Sequence, residues 1–185
     1  MRESEAMEQS VVIVGGGPTG SWLACELRVA GVPTVVLERD PGIDPRSRAL
    51  TVHPRTIETL ALRDAHRDLL AEGGRIPSGH FAVLDERLDF RGLDTDFPFT
   101  LTIPQARTTE LLRRRALGLG ADLRRGHRVT DCAETGDGVA VSVEGPDGAA
   151  GGRRRSRIVS GTPYRCGHGN GQGDGRGNGH RIRTG

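Results

Sequence analysis

The chain has 185 residues, 35% hydrophobic and only 3% aromatic, with 26 basic residues, all arginine, against 24 acidic ones for a net charge of +2. That length suits one folded domain, or two at most, and no apolar run approaches the ~20 residues that a membrane-spanning helix needs. The polar, acidic residues 1–10 do not read as a secretory signal, and three cysteines without a CxxC pair argue against a disulfide framework or a structural zinc site, so a cytoplasmic protein is expected.

Val11-Val-Ile-Val14 is a short β-branched run ended by glycines, the pattern of a buried strand. Pro18 suits the first turn of a following helix, where its missing N–H costs nothing. Leu23, Leu27 and Ala30 then recur at helical spacing until Gly31 ends the run. Thr34-Val-Val-Leu37 reads as a second buried strand, and this strand, helix and strand in close succession imply a right-handed crossover and a parallel pair. A loop rich in Pro and Arg fills 40–52. Pro54 opens a second helix with Ile57, Leu60 and Ala61 on one face, and a further helix is predicted over 64–71. Strands and turns are expected over 76–103, at His80-Phe-Ala-Val-Leu84, Leu88-Asp-Phe90 and 97–103. A helix over 105–118 would turn Leu111, Leu112, Ala116 and Leu119 inward, end at Gly118 or Gly120, and lead to a parallel strand over 121–124. Residues 129–133 and 139–143 read as antiparallel ribbon strands, with turns at Gly136-Asp-Gly138 and Pro146-Asp-Gly148.

The two ends of the chain differ in charge. The first 150 residues are net acidic, whereas the last 35 are strongly basic with Asp174 as their one acid. From Gly151 the hydrophobic pattern stops, and Gly167 to His180 alternates glycine with polar residues. Such a segment has no apolar face whose burial could offset the entropy of ordering it, so 151–185 is expected to be a disordered Gly/Arg-rich tail. Arginine in place of every lysine reads as the codon usage of a GC-rich genome.

Gly15-Gly-Gly-Pro-Thr-Gly20 fits G-x-G-x-x-G between a predicted strand and a predicted helix, and Glu38 ends the second strand 18 residues beyond Gly20. In a dinucleotide-binding unit Gly15 permits the tight turn, Gly17 admits a pyrophosphate to the backbone, and Gly20 lets helix and strand pack closely. The helix start offers unpaired N–H groups and partial positive charge to phosphate oxygens. Glu38 can accept hydrogen bonds from both adenosine ribose hydroxyls. The turn alone does not separate NAD from FAD.

Further segments follow in order: Leu37-Glu-Arg39, Pro45-Arg-Ser-Arg-Ala49, His53-Pro-Arg-Thr-Ile-Glu58 and Ile103-Pro-Gln105. With them, about residues 10–148 resemble the FAD-dependent aromatic hydroxylases of the p-hydroxybenzoate hydroxylase type, nearest the branch acting on phenolic and polycyclic polyketide substrates. The resemblance implies an α/β, Rossmann-like FAD-binding domain of three layers, a parallel sheet plus a β-ribbon. It places Gly15, Gly17, Pro18, Thr19, Gly20, Glu38, Arg39, Arg48 and Gln105 at the cofactor: Glu38 on the ribose, Arg48 near the pyrophosphate and ribityl chain, Gln105 on the ribityl side. Arg46 and Arg107 are lesser candidates for the cofactor or NADPH. In such enzymes NADPH (or NADH) reduces the flavin, which then activates oxygen to hydroxylate an aromatic small molecule. The resemblance carries over no catalytic residue and no metal site.

Members of that family continue into a Gly-Asp-Gly strand and a substrate-binding sheet that are not recognisable here. Gly173-Asp-Gly175 lacks a preceding apolar strand, and Ser21 stands where the family commonly has Leu. Residues 1–150 are therefore expected to be the N-terminal part of an incomplete FAD-binding domain, inactive as it stands. A one-base shift of a CGT-CGT-CGG coding for Arg153-Arg-Arg155 would read Val-Val-Gly, so the tail is expected to be a frameshifted reading, testable in the coding DNA. Two alternatives stay open: an NAD(P)-binding Rossmann oxidoreductase, or a non-catalytic truncated product.

Other clusters have plainer readings. Arg113-Arg-Arg115 and Arg124-Arg125 are expected on solvated faces, and no nucleic-acid or membrane partner is expected. Cys166, His168 and His180 fit no standard metal spacing. Cys25 should pack as a small apolar residue, His53 should cap a helix, and Trp22 is either a core anchor or partly exposed.

Overall fold

The computed structural model describes residues 11–45, 49–80, 85–135 and 138–145, and the backbone of 158–160. Arg46, Arg48, the 81–84 part of an expected strand, the Pro146-Asp-Gly148 turn and the tail apart from 158–160 lie outside the described residues, as do Cys166, His168 and His180.

Strand β1 (Val11–Val14), helix α1 (Pro18–Val29) and strand β2 (Thr34–Glu38) form the expected crossover. β1 and β2 are parallel, with Val12 opposite Val35 and Val14 opposite Leu37. After a two-residue strand β3 (Thr51–Val52) come helices α2 (Pro54–Ala61) and α3 (Arg67–Glu72) and short strands β4 (Gly74–Ile76), β5 (Ser78–His80), β6 (Arg87–Asp89) and β7 (Thr100–Thr102). Helix α4 (Gln105–Gly118) returns the chain to strand β8 (Asp122–Arg125), which lies parallel to β2 on the side away from β1. Strands β9 (Arg128–Thr135) and β10 (Gly138–Glu144) form the ribbon. Strand β11 (Ile158–Ser160) pairs antiparallel with β10, so the stretch read as a tail contains one paired segment.

Strand β2 is buried along its whole length, because both of its faces are covered. Val36 faces Ala24 and Cys25 of α1 and Ala116 of α4, while Val35 and Leu37 face Val139, Val141 and Val143 of the ribbon. This alternation is the period of two in a strand expressed as a three-layer stack, helices over sheet over ribbon. A second core gathers Ile57 and Leu60 of α2, Leu69 of α3, Leu101 of β7 and Leu111 and Leu112 of α4 around the antiparallel sheet β3-β7-β4. Trp22 is half-buried and packs against both helix-side cores.

Local differences have local causes. The buried stripe of α1 is Ser21, Ala24 and Cys25, and Leu23 is 46% exposed. The small side chains let α1 lie close to α4 and the sheet. Cys25 is buried as expected, and burial pushes its thiol pKa up to about 11. His53 holds the N-cap position of α2, but only its carbonyl takes part, accepting from the N–H groups of Thr56 and Ile57. Strand β4 went unread in the sequence: its Gly-Arg-Ile has no alternation, and it forms only because β7 offers an edge. No helix among the described residues is long and apolar enough to cross a membrane.

Candidate functional site: the glycine turn between the first strand and helix

The turn leaves β1 at Gly15, whose φ of +100° lies where L side chains rarely go. Its N–H donates to the Leu37 carbonyl at 2.8 Å and so ties the turn to the end of β2. A Cβ on Gly17 would meet nothing within 4 Å, whereas one on Gly20 would stand 2.0 Å from the Gly15 carbonyl oxygen. Gly17 thus leaves open space above the backbone, and Gly20 allows helix and turn to touch. Gly17 is the N-cap of α1, with no side-chain cap and no acidic residue in the first turn, so the helix does not supply its own anion.

Glu38 reaches back under this turn. Its side chain is 12% exposed. Oε2 accepts from the Gly16 N–H at 2.7 Å, and Oε1 from the Asp40 N–H at 3.0 Å. Arg113 approaches from α4: its Nη2 donates to Glu38 Oε2 at 3.2 Å and its Nε to the Gly16 carbonyl at 2.6 Å. Ser21 also donates to that carbonyl, at 3.1 Å. The Ser21 hydroxyl therefore braces the turn. Burial pulls the Arg113 guanidinium below the usual arginine range, with Glu38 opposing that shift.

Above the turn lies a cavity of about 620 Å³ whose walls include Gly15, Gly17, Pro18, Glu38, Arg39 and Gln105. These are six of the nine residues expected at a cofactor. Thr19 lines instead a neighbouring cavity of about 510 Å³ that Pro18 and Gln105 share, and Gly20 sits beneath the turn. Arg48 is outside the described residues. Arg39 points outward, 61% exposed, with Nε 3.8 Å from Asp40. The open space at Gly17, the uncapped helix start and the carboxylate beside them suit a dinucleotide's pyrophosphate and ribose.

One expectation about arginines is corrected. Arg113 is 5% exposed and not on a solvated face; only Arg114 of the triplet is exposed, where it pairs with Asp68, and the half-buried Arg115 donates to the carbonyls of Arg63 and Asp64. Arg107 is not among the cavity's walls; it pairs with Glu72 of α3 and Glu110. Sequence reasoning also missed Thr109, His127, Arg128 and Val129 as lining residues. A signal for Arg113 existed: Gln105, Thr109 and Arg113 follow at four-residue steps along one helix face.

A family model described as an FAD binding domain matches residues 8–158. The chain belongs to this FAD-binding family. As a family member it is 52% identical over 142 residues to the 12-dehydrotetracycline 5-monooxygenase/anhydrotetracycline 6-monooxygenase of Streptomyces rimosus subsp. rimosus, covering 77% of this chain and 28% of that protein. It is 40% identical over 152 residues to the rifampicin monooxygenase of Streptomyces venezuelae, covering 82% of this chain and 31% of that protein. Among solved structures, the anhydrotetracycline hydroxylase of Streptomyces rimosus superposes with a TM-score of 0.78 at 47% identity, covering 85% of this chain and 31% of that one. The p-nitrophenol 4-monooxygenase of Pseudomonas putida superposes with a TM-score of 0.74 at 28% identity, covering 84% and 40%. This chain thus spans less than a third of the length of these two curated relatives.

Proposed function

We propose that the chain forms the adenylate-holding part of the FAD site in a flavin-dependent hydroxylase of phenolic or polycyclic aromatic compounds. The observation that carries the reading is the convergence of Gly15, Gly17, Glu38 and the uncapped start of α1 on one cavity. The backbone N–H groups of Gly17, Thr19 and Gly20 would receive the pyrophosphate, with Pro18 shaping the entry. Glu38 would hold the ribose, Arg39 and Arg48 would flank the phosphates, and Gln105 would face the ribityl chain. When bound and reduced by NADPH or NADH, the flavin supplies the oxygen-activating chemistry; the protein binds it, orients it and excludes water. The substrate class rests on the names of the relatives, which act on anhydrotetracycline, rifampicin and p-nitrophenol.

Titration of the purified chain with FAD tests the cofactor part of this reading. Flavin fluorescence should change saturably, and the melting temperature should rise with FAD, by the equivalent of about 2.7 kcal/mol at a hundredfold excess over Kd. A melt that responds to NADPH or NADH but not to FAD would favour a nicotinamide-binding oxidoreductase instead.

A further inference from the structure

Arg113 is the buried charged group at the site to which the family resemblance gave no role. Its Nε and Nη2 form a fork that engages the Gly16 carbonyl and Glu38 Oε2 together, which the single ammonium of a lysine could not reproduce. A Cβ on Gly16 would stand 3.3 Å from Arg113 Nη2 and from Glu38 Oε2, so the turn, the acid and the guanidinium close on one another as a unit. Arg113 Nη1 is buried without a partner among the described residues, so the placement is not the one stability alone would favour.

The lone pairs of Glu38 can be counted. A carboxylate has about four acceptor sites, two on each oxygen. Among the described residues, Oε2 receives the Gly16 N–H and Arg113 Nη2, which fills it; Oε1 receives the Asp40 N–H alone, which leaves one site. We propose that Arg113 is a positioning residue that commits Glu38 Oε2 to the glycine turn and leaves Oε1 to accept a single ribose hydroxyl of an adenine nucleotide. This departs from the expectation that Glu38 takes both hydroxyls, and it rests on the adenylate reading above.

The test is the affinity of the full 185-residue chain for ADP, 2′-deoxy-ADP and 3′-deoxy-ADP by isothermal titration calorimetry, in the wild type and in Arg113→Met, Arg113→Lys and Glu38→Gln. The wild type should bind one deoxynucleotide about as well as ADP and the other about tenfold or more weakly, the effect of one hydrogen bond to a charged acceptor. Each Arg113 variant, by opening an acceptor site on Oε2, should lose that selectivity and weaken for both deoxynucleotides relative to ADP, whereas Glu38→Gln should bind the three nearly alike. Circular dichroism establishes that each variant is folded, and Arg113→Lys keeps the charge should Arg113→Met not fold. If the variants weaken all three nucleotides equally and keep the ratio, Arg113 is merely structural and the proposal is overturned. Equal losses for both deoxynucleotides in the wild type also overturn it, without recourse to any variant. A wild type that binds neither FAD nor ADP defeats the adenylate reading itself, a result distinct from binding with an unaltered ratio in the variants.

Discussion

Helix α4 carries two arginines six positions apart that live in opposite physical regimes. Arg113 is 5% exposed and meets one carboxylate, Glu38, under the glycine turn. The Arg107 side chain is 37% exposed and meets two, Glu72 and Glu110, on the outer surface. By number of partners Arg107 looks the stronger tie. By environment the order reverses: surface pairs are screened by water and salt, while removing one member of a buried pair leaves the other charge without compensation. One helix therefore joins two regions for different ends. Its middle braces the glycine turn, and its start is fastened to α3.

The largest expected effect comes from removing what the buried cluster rests on. Gly20→Ala places a Cβ 2.0 Å from the Gly15 carbonyl oxygen, a backbone atom that can yield only if the turn moves. The cost should be about 4 kcal/mol or more, a fall in melting temperature beyond ~10 °C, together with loss of the FAD-dependent shift. A variant that melts and binds like the wild type would mean that helix and turn are not in close contact, and the buried half of the comparison would collapse.

Next in size is the buried pair itself. Glu38→Gln keeps the shape of the side chain but strands the Arg113 charge, at a cost of about 3 kcal/mol. The double variant Glu38→Gln/Arg113→Met removes both charges and should be less destabilised than the sum of its two single variants, with a coupling of about 1 kcal/mol or more in a denaturant cycle. Additive losses would show that the two side chains do not sense each other. The corresponding cycle on Arg107 and Glu72 should show a coupling that fades with added salt.

This contrast also marks where the sequence could be read and where it could not. The strand–helix–strand unit was legible because β-branched runs, Pro18 and Gly31 signal its boundaries locally, and Glu38 because its distance from the turn is set by that unit. The ribbon was legible from the alternation in Val139-Ala-Val-Ser-Val143. Arg113 was not. An arginine in a triplet reads as solvated, and only the tertiary approach of α4 to the turn buries one of the three. The inward stripe of α1 was missed for a related reason: Ser21, Ala24 and Cys25 are too small to dominate a hydrophobic pattern, yet small size is what the close approach to α4 requires. Strand β4 has no pattern of its own, so only its pairing with β7 reveals it.

The smallest expected effect belongs to the surface pair and is set by pH. The Arg107 guanidinium holds the Glu72 carboxyl below its usual pKa of 4.5, chiefly through their hydrogen bonds. A carboxyl whose pKa is lower in the folded chain binds its proton more readily once the chain unfolds. The pair therefore stabilises the fold above about pH 4.5, and that contribution fades as pH falls through the folded-state value. Arg107→Gln should accordingly lower the melting temperature slightly at pH 7 and low salt, and the gap should close as the solution is acidified below pH 4.5. Asp89, held down to about 2 by its hydrogen bonds from the Arg91 side chain and N–H, provides an internal reference, since its contribution persists to lower pH in both proteins. A gap that stays constant from neutral pH down to about 2 would place the effect of Arg107 in the packing of its stem against α3 and not in its charge, and the two arginines of α4 would then differ in burial but not in kind.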